Sequence, residues 1–232
     1  MRLGLGSGAD PHATVAELAE SCARRGLLAL EVSTSDVTAF DSLGHVDDAD
    51  LGEGVRLTSI LADEAHTALA TVVARRLAVP LVLDRGHDNE AAVAAASVAM
   101  AAGVTALPLM HGPADGWLPL LPATVPFAWQ VDDSVMDPAS DAERISRHNG
   151  GPVCIRLVGG GPETALQDGR GIGATLRVLA LAGYAGPLIV TPSSHRYRVA
   201  WAGWLGRRGG WGCGSSGDRA ASAPLTLTGT GQ

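Results

Sequence analysis

The segment GRGIGATLRVLALAGYAGPLIVTPSS, residues Gly169–Ser194, decides the fold of this 232-residue chain. Its apolar residues recur at helical spacing over Ala174–Ala182. Gly183 can end that helix because glycine adopts the left-handed conformation without a Cβ clash. A Gly-Pro pair then opens a short apolar run, Leu188–Val190, of the kind that is covered on both faces. The segment therefore predicts a helix that feeds a buried strand, which is half of a βαβ unit.

The same alternation of apolar runs and helical stretches recurs along the whole chain. Seven further strands are predicted at Arg2–Gly6, Leu27–Val32, Val55–Leu61, Pro80–Asp84, Val104–Met110, Val125–Val131 and Pro152–Val158. Eight parallel strands with crossover helices close into a (β/α)8 TIM barrel, an α/β fold. The competing architecture is an open doubly wound sheet, which usually has fewer strands and a G-x-G-x-x-G turn after the first. Gly4, Gly6 and Gly8 of this chain do not match that motif, because the third glycine comes one residue too early.

Local signals place several helix boundaries. Thr14 and Glu17 form a capping-box pattern. Alanine-rich stretches predict helices over Asp63–Ala78 and Asn89–Ala102, and an Asp-Pro pair at Asp137 begins another that ends near Asn149. The acidic segment Ser33–Gly54 is predicted to be a loop with one helical turn. Pro108 is unfavourable inside the fifth predicted strand, because proline has no N–H to donate to a neighbouring strand. 

The composition changes after Ser194. Residues 199–232 are rich in Gly, Trp and Ser and show no helical period, although a barrel needs its eighth helix there. We therefore expect a barrel domain over residues 1–198 whose eighth helix is degenerate or missing. Residues 199–232 are expected to form a poorly ordered tail.

Charge and composition exclude several classes of protein. The formal net charge is −7, which weighs against nucleic acid or an anionic membrane as the main partner. No apolar run approaches the ~18 residues of a membrane span, and no long apolar segment opens the chain, so we expect a cytoplasmic protein. Its three cysteines are scattered, which fits buried thiols in a reducing compartment. All 17 basic residues are arginine, so Schiff-base and PLP chemistry, which need a lysine amine, are excluded.

Both ends of the predicted barrel resemble the sugar phosphate isomerase/epimerase family, whose members have xylose isomerase-like TIM barrels. LGLGSG followed by GLLALEV is similar to the family's opening, and GRGIGATLRVLALAGYAGPLIV is similar to the family's penultimate unit, a Gly-rich loop, a helix ending in Gly-Tyr-x-Gly-Pro and an aliphatic strand. The resemblance covers residues 1 to about 195. It implies an enzyme that interconverts an aldose and a ketose, or epimerises a sugar carbon, by proton transfer next to a carbonyl.

The resemblance also implies a divalent metal held by Glu, Asp, His and Glu at the ends of strands five to eight. The corresponding positions here carry Met110 or His111, Gln130, Arg156 and Thr191. An arginine at such a position repels a cation. We therefore predict that the metal ligands of the family are replaced, and the cofactor of this chain stays unknown.

In a barrel the functional residues lie on the loops that follow the strands. Glu31 is either a base or orienting carboxylate at the mouth, or a rim carboxylate satisfied by its neighbours. His111 and Asp132 follow strands five and six and suit proton transfer, because imidazole titrates near neutral pH. The same side chains could instead be a residual metal site or ordinary loop residues. We predict Glu31, His111 and Asp132 as the catalytic residues.

A further set of residues is predicted to bind the substrate: Asp84, His87, Trp129, Gln130, Arg156, Gly160 and His195. Trp129 either stacks on a sugar ring or fills the core. Gly160 lies in a triglycine that, with Arg156, forms either an anion-binding nest of N–H groups or a flexible linker. His195 either joins that anion site or begins the tail.

Two functions of different classes follow. The first is a sugar phosphate isomerase or epimerase that takes a small sugar or sugar phosphate. The alternative is a non-catalytic barrel that binds a sugar-like or anionic metabolite after loss of the family metal site. An endonuclease-like phosphodiesterase is disfavoured by the acidic charge and the missing metal carboxylates. The sequence leaves open whether copies assemble into a homo-oligomer.

Overall fold

Hydrogen bonds join each strand to the next in chain order, and the last strand pairs back onto the first, so the sheet closes into an eight-stranded parallel barrel. The structure is a computed structural model that describes residues 2–123, 125–132, 135, 137–148, 152–159 and 172–192. The strands are β1 (Arg2–Gly6), β2 (Ala29–Ser33), β3 (Arg56–Ala62), β4 (Leu81–Leu83), β5 (Ala106–Met110), β6 (Phe127–Val131), β7 (Pro152–Gly159) and β8 (Pro187–Pro192). The predicted (β/α)8 barrel is confirmed.

Helices follow each of the first seven strands. They are α1 (Val15–Arg24), α2 (Val37–Ser42), α3 (Thr67–Leu77), α4 (Asn89–Ala101), α5 (Ala114–Trp117), α6 (Pro138–Ser146) and α7 (Ile172–Leu181). The described residues also include three 3-10 turns, at Ser7–Ala9, Leu43–His45 and Leu118–Leu120. The predictions about an eighth helix and a tail over residues 199–232 lie outside the described residues. No helix in the described part of the chain is long and apolar enough to cross a membrane.

The predicted helix starts agree with the structure where a side chain caps the helix. The Thr14 hydroxyl accepts the Glu17 N–H, and the Glu17 carboxylate accepts the Thr14 N–H, so the capping box is complete. Helix α3 begins four residues later than predicted. The carboxylate of Asp63 accepts the backbone N–H of His66 at 2.9 Å, which closes a turn ahead of the helix.

Pro108 lies inside β5 despite its missing N–H. It pairs with Leu83, the last residue of the short strand β4, so the missing donor falls where that ladder ends. The segment after β2, predicted as a loop with one helical turn, contains α2 and a 3-10 turn. Arg76 of α3 braces it, because its guanidinium donates to the carbonyl oxygens of Leu43 and Val46 at 2.6 Å each.

Two apolar cores lie on the two faces of the barrel wall. The larger core fills the space between strands and helices. A smaller cluster is contributed by β2 to β8 and fills the barrel interior: Ala29, Leu61, Val82, Leu107, Leu109, Ala128, Cys154 and Ile189. β1 adds no side chain to it, since a Cβ on Gly4 would lie 2.5 Å from the Ala29 carbonyl oxygen. Glycine in β1 therefore allows its neighbours to approach closely.

The GYAGP motif is a close contact between the last two strands. Gly183 has a φ of +80°, the left-handed conformation that ends α7. A Cβ on Gly186 would collide with the Val153 carbonyl oxygen of β7. The Tyr184 hydroxyl donates to the Pro187 carbonyl oxygen at 2.6 Å. The motif thus positions the start of β8 against β7.

Candidate functional site at the barrel mouth

A buried arginine lies at the centre of the polar interior of the barrel. Arg156 of β7 is 5% exposed, and its Nε donates to Glu31 Oε1 at 2.7 Å. Its Nη1 donates to Gln130 Oε1 at 2.6 Å. Burial alone would lower the pKa of Arg156, but the charge and hydrogen bond of Glu31 outweigh burial and raise it. Arg156 is therefore a permanent cation.

Glu31 is the carboxylate that balances this charge. It is 1% exposed, and its second oxygen accepts a hydrogen bond from the Ser59 hydroxyl at 3.0 Å. Both carboxylate oxygens thus have protein donors. Ser59 comes from β3, so the group joins β2, β3 and β7 across the interior.

His111 and Asp84 form a second pair on the neighbouring side of the mouth. His111 Nε2 lies 3.0 Å from Asp84 Oδ1, and His111 Nδ1 lies 3.2 Å from Gln130 Nε2. The backbone of His111 is held on both sides by Asn89, which accepts its N–H at 2.9 Å and donates to its carbonyl oxygen at 3.2 Å. His111 is also buried, with 7% exposure. Hydrogen bonds therefore hold both its ring and its backbone in a closed environment.

Asp84 is the member of this pair that reaches solvent, with 31% of its side chain exposed. Burial of the rest of the group would raise its pKa. Hydrogen bonds from His111 and from the Gly86 N–H, together with the positive charge of Arg156, outweigh burial and lower the pKa of Asp84. Asp84 is therefore ionised at neutral pH.

Gln130 connects the two pairs. Its Nε2 donates to Asp132 Oδ2 at 3.0 Å as well as contacting His111. The ring of exposed His87 meets that of His111 edge to face, with centroids 5.4 Å apart. We call the connected side chains the mouth network: Ser59, Glu31, Arg156, Gln130, Asp132, His111 and Asp84.

The structure brings together most of the residues that the sequence predicted for a site. Trp129 is placed apart from them: it is fully buried in the core between strands and helices, which favours its alternative role as a core residue. Gly160 and His195 lie outside the described residues, so the predicted anion nest stays a prediction.

Sequence reasoning missed several polar side chains of the mouth. Ser59 and Asn89 support Glu31 and His111, as described above. The Ser7 hydroxyl, which follows β1, donates to the Asp36 carboxylate and accepts the Ser33 N–H at 2.8 Å. The signal for Ser59 was available, since a single serine inside an apolar strand marks an inward-facing polar position. Ser7 and Asp36 carried no such pattern.

The described residues do not fit a divalent metal. Among them, no group of three or more His, Cys, Asp or Glu side chains is arranged to hold a metal ion. Divalent cations of the hard type take several carboxylate or carbonyl oxygens. Here the guanidinium of Arg156 already occupies the Glu31 carboxylate, and a second cation beside it would be repelled.

Comparison with known proteins relates this barrel to sugar epimerases in fold. No family model matches the sequence, and no curated protein matches it. The structure is similar to that of an L-ribulose 3-epimerase, with a TM-score of 0.61 and 14% identity, covering 90% of this chain and 95% of that one. It is also similar to a D-allulose 3-epimerase from Methylomonas sp., with a TM-score of 0.58 and 13% identity, covering 89% and 93%.

A third similar structure is a D-psicose 3-epimerase from Clostridium cellulolyticum H10, with a TM-score of 0.55 and 14% identity, covering 90% of this chain and 96% of that one. At this identity the likeness shows a shared (β/α)8 fold.

Proposed function

We propose that this chain binds a sugar in the barrel mouth and isomerises or epimerises it by proton transfer next to the carbonyl, without a metal. The observation that supports this best is the buried Arg156 cation, which is connected through Gln130 to the carboxylate of Asp132 and lies within reach of the charge of Asp84. The three similar structures named above are all sugar epimerases by name. Their likeness supports the substrate class as an analogy of fold.

The reaction needs a base and a group that stabilises the negative charge of the enediolate. Asp132 lies at the end of β6 and serves as the base. A guanidinium has five N–H donors, and Arg156 uses two of them on the described residues, through Nε and Nη1. The remaining N–H groups donate to the developing oxyanion. Glu31 acts through Arg156, because both of its oxygens are already engaged.

The charge of the described mouth favours an uncharged sugar over a sugar phosphate. Arg156 is balanced by Glu31, whereas Asp84 and Asp132 add negative charge. A phosphate group would be repelled by these two carboxylates. Binding of a phosphate would therefore depend on Gly160 and His195, which lie outside the described residues.

A second candidate is a non-catalytic barrel that binds a sugar-like metabolite. Glu31 and His111, two of the predicted catalytic residues, are 1% and 7% exposed and hydrogen-bond to other members of the mouth network. A site whose polar groups satisfy one another can bind a ligand without exchanging protons with it.

Isotope exchange separates these candidates. The EDTA-treated protein is incubated in D2O with pentoses, hexoses, the corresponding ketoses and their phosphates, and loss of the proton next to the carbonyl is followed by NMR. We expect exchange with an uncharged sugar, lowered roughly 100-fold or more by Asp132→Asn. Glu20→Gln, an exposed carboxylate on α1, is the matched control and should retain full exchange.

Two outcomes would reject the enzyme. Saturable sugar binding without exchange favours the binding barrel. If neither exchange nor binding occurs with any sugar, both candidates are wrong.

A further inference from the structure

The side chains from Arg156 to Asp84 form a hydrogen-bond chain with a single direction. A guanidinium has donors only. The atom of Gln130 that lies 2.6 Å from Arg156 Nη1 must therefore be the amide oxygen. This contact orients the amide, and its NH2 group is turned toward His111.

The orientation of Gln130 decides which nitrogen of His111 carries the proton. An amide NH2 group has two hydrogens and accepts nothing. One hydrogen is directed to Asp132 Oδ2 at 3.0 Å and the other to His111 Nδ1 at 3.2 Å. Nδ1 must accept, so a neutral ring carries its proton on Nε2. That nitrogen lies 3.0 Å from Asp84 Oδ1, an acceptor.

The other protonation states of the ring are unfavourable. The Nδ1–H tautomer would direct an N–H at the Gln130 NH2 group and a lone pair at the Asp84 carboxylate. The doubly protonated ring would satisfy Asp84 but still oppose Gln130. The charged or titratable groups around the ring are Asp84 and His87 in contact with it, with Asp132 and Arg156 beyond Gln130.

We propose that Gln130, oriented by Arg156, is a positioning residue that holds His111 as the neutral Nε2–H tautomer. His111 in turn donates to Asp84 and fixes that carboxylate at the mouth. The buried ion pair of Arg156 and Glu31 is thereby connected to a solvent-reaching carboxylate. The tautomer follows from the hydrogen-bond geometry alone, while the effect of Gln130 on sugar exchange rests on the proposed function.

The tautomer can be measured without any substrate. Long-range 1H–15N correlation spectra of protein labelled with 15N-histidine distinguish the two neutral tautomers and the charged ring, and His111→Gln assigns the signal among the seven histidines of the chain. We expect the neutral Nε2–H pattern for His111 at neutral pH. A charged ring or an Nδ1–H pattern would overturn the proposal.

A near-isosteric variant tests the role of Gln130. Gln130→Glu places an acceptor opposite Nδ1, and we expect His111 to gain a proton there. His66 is the internal reference. Its Nδ1 lies 2.8 Å from Asp63 Oδ1 on the surface, so a carboxylate, and not the side-chain amide of a glutamine, faces this nitrogen. Its signals should be the same in both proteins. An unchanged His111 pattern in Gln130→Glu would show that Gln130 does not set the tautomer.

The readouts keep the two proposals separate. The wild-type spectrum decides the tautomer even if a variant fails to fold. In the exchange assay, Gln130→Met should lower kcat more than it changes KM, since Gln130 also donates to Asp132, the proposed base. If no sugar is exchanged by the wild type while His111 shows the Nε2–H pattern, the enzyme proposal fails and the tautomer stands.

Discussion

Arg156 and Glu31 form a buried ion pair across the barrel interior, with Nε 2.7 Å from Oε1, and join two strands that are not neighbours in the sheet. β7 pairs with β6 and β8, and β2 pairs with β1 and β3. The pair therefore links strands three positions apart around the barrel through side chains alone, 125 residues apart in sequence.

Removing one partner of this ion pair should destabilise the barrel strongly. Arg156→Met leaves the buried Glu31 carboxylate without its cation, and we expect a loss of about 3–5 kcal/mol in the free energy of unfolding. The double variant Glu31→Leu with Arg156→Met removes both charges and should recover most of this loss. Urea denaturation of the wild type, the two single variants and the double variant measures the four values of this cycle.

The surface pair of Arg24 and Glu20 is the control for this cycle. Both side chains are more than half exposed, so Arg24→Met should change the stability little. If the double variant in the barrel loses as much as the sum of its single variants, the ion pair is not coupled and the prediction is wrong.

The glycines of β1 should tolerate no side chain. In Gly4→Ala, the new methyl group would lie 2.5 Å from the Ala29 carbonyl oxygen, and backbone cannot move aside as a flexible side chain can. We expect a loss of roughly 1–3 kcal/mol, as for other overpacked cores. Gly44→Ala is the matched control, since its Cβ would meet nothing within 4 Å. Equal thermal midpoints for the two variants would contradict the close approach.

Asp84 should contribute a pH-dependent stability. Burial disfavours its carboxylate, but hydrogen bonds from His111 and Gly86 hold its pKa below the ordinary Asp value. A group whose pKa is lower in the folded chain stabilises the fold above its unfolded pKa of about 3.9, and this contribution is lost as the pH falls through the folded pKa. The stability difference between the wild type and Asp84→Asn should therefore be largest near neutral pH and shrink below about pH 4.

Urea titrations at a series of pH values measure this difference directly. A difference that grows on acidification would mean that the pKa of Asp84 is raised, and the assigned hydrogen bonds would then be wrong.

The two described cysteines should be inert in the native protein. Both are buried free thiols, as the scattered cysteines of the sequence predicted. Burial raises the pKa of Cys22 to about 11, and burial with the nearby charge of Glu31 raises that of Cys154 well above its usual range. Because the thiolate is the reactive form, we expect no labelling by a disulfide reagent at pH 8.

Cys213 lies outside the described residues, so the labelling is done on Cys213→Ser. Two thiols should react once guanidinium unfolds the chain. Rapid labelling of either thiol before unfolding would show that the core around it opens readily.

Much of the fold could be predicted because its signals are local. Apolar runs, helical spacing, the capping box at Thr14 and the helix stop at Gly183 each depend on residues within one turn or one strand. Because the pattern of strand and helix recurs eight times, the sequence favoured the barrel over an open doubly wound sheet. The start of α3 was placed wrongly, because a carboxylate such as Asp63 can cap a turn as well as a helix.

The candidate site could be predicted only as a set of residues. The sequence indicated that Glu31, Gln130, His111 and Arg156 follow or lie within strands, and the alternation of side chains along each strand leaves two faces open. Only barrel closure decides that Gln130 faces the interior while its neighbour Trp129 faces the helices.

The sequence by itself thus determined the number, order and type of the elements, and the presence of a polar set at the strand ends. The tertiary structure decided the partners: Arg156 with Glu31, Gln130 with His111, and His111 with Asp84. The physical reason is that these contacts depend on the register between strands far apart in the chain, which no local pattern encodes. The direction of their hydrogen bonds, and with it the tautomer of His111, follows only once those partners are in place.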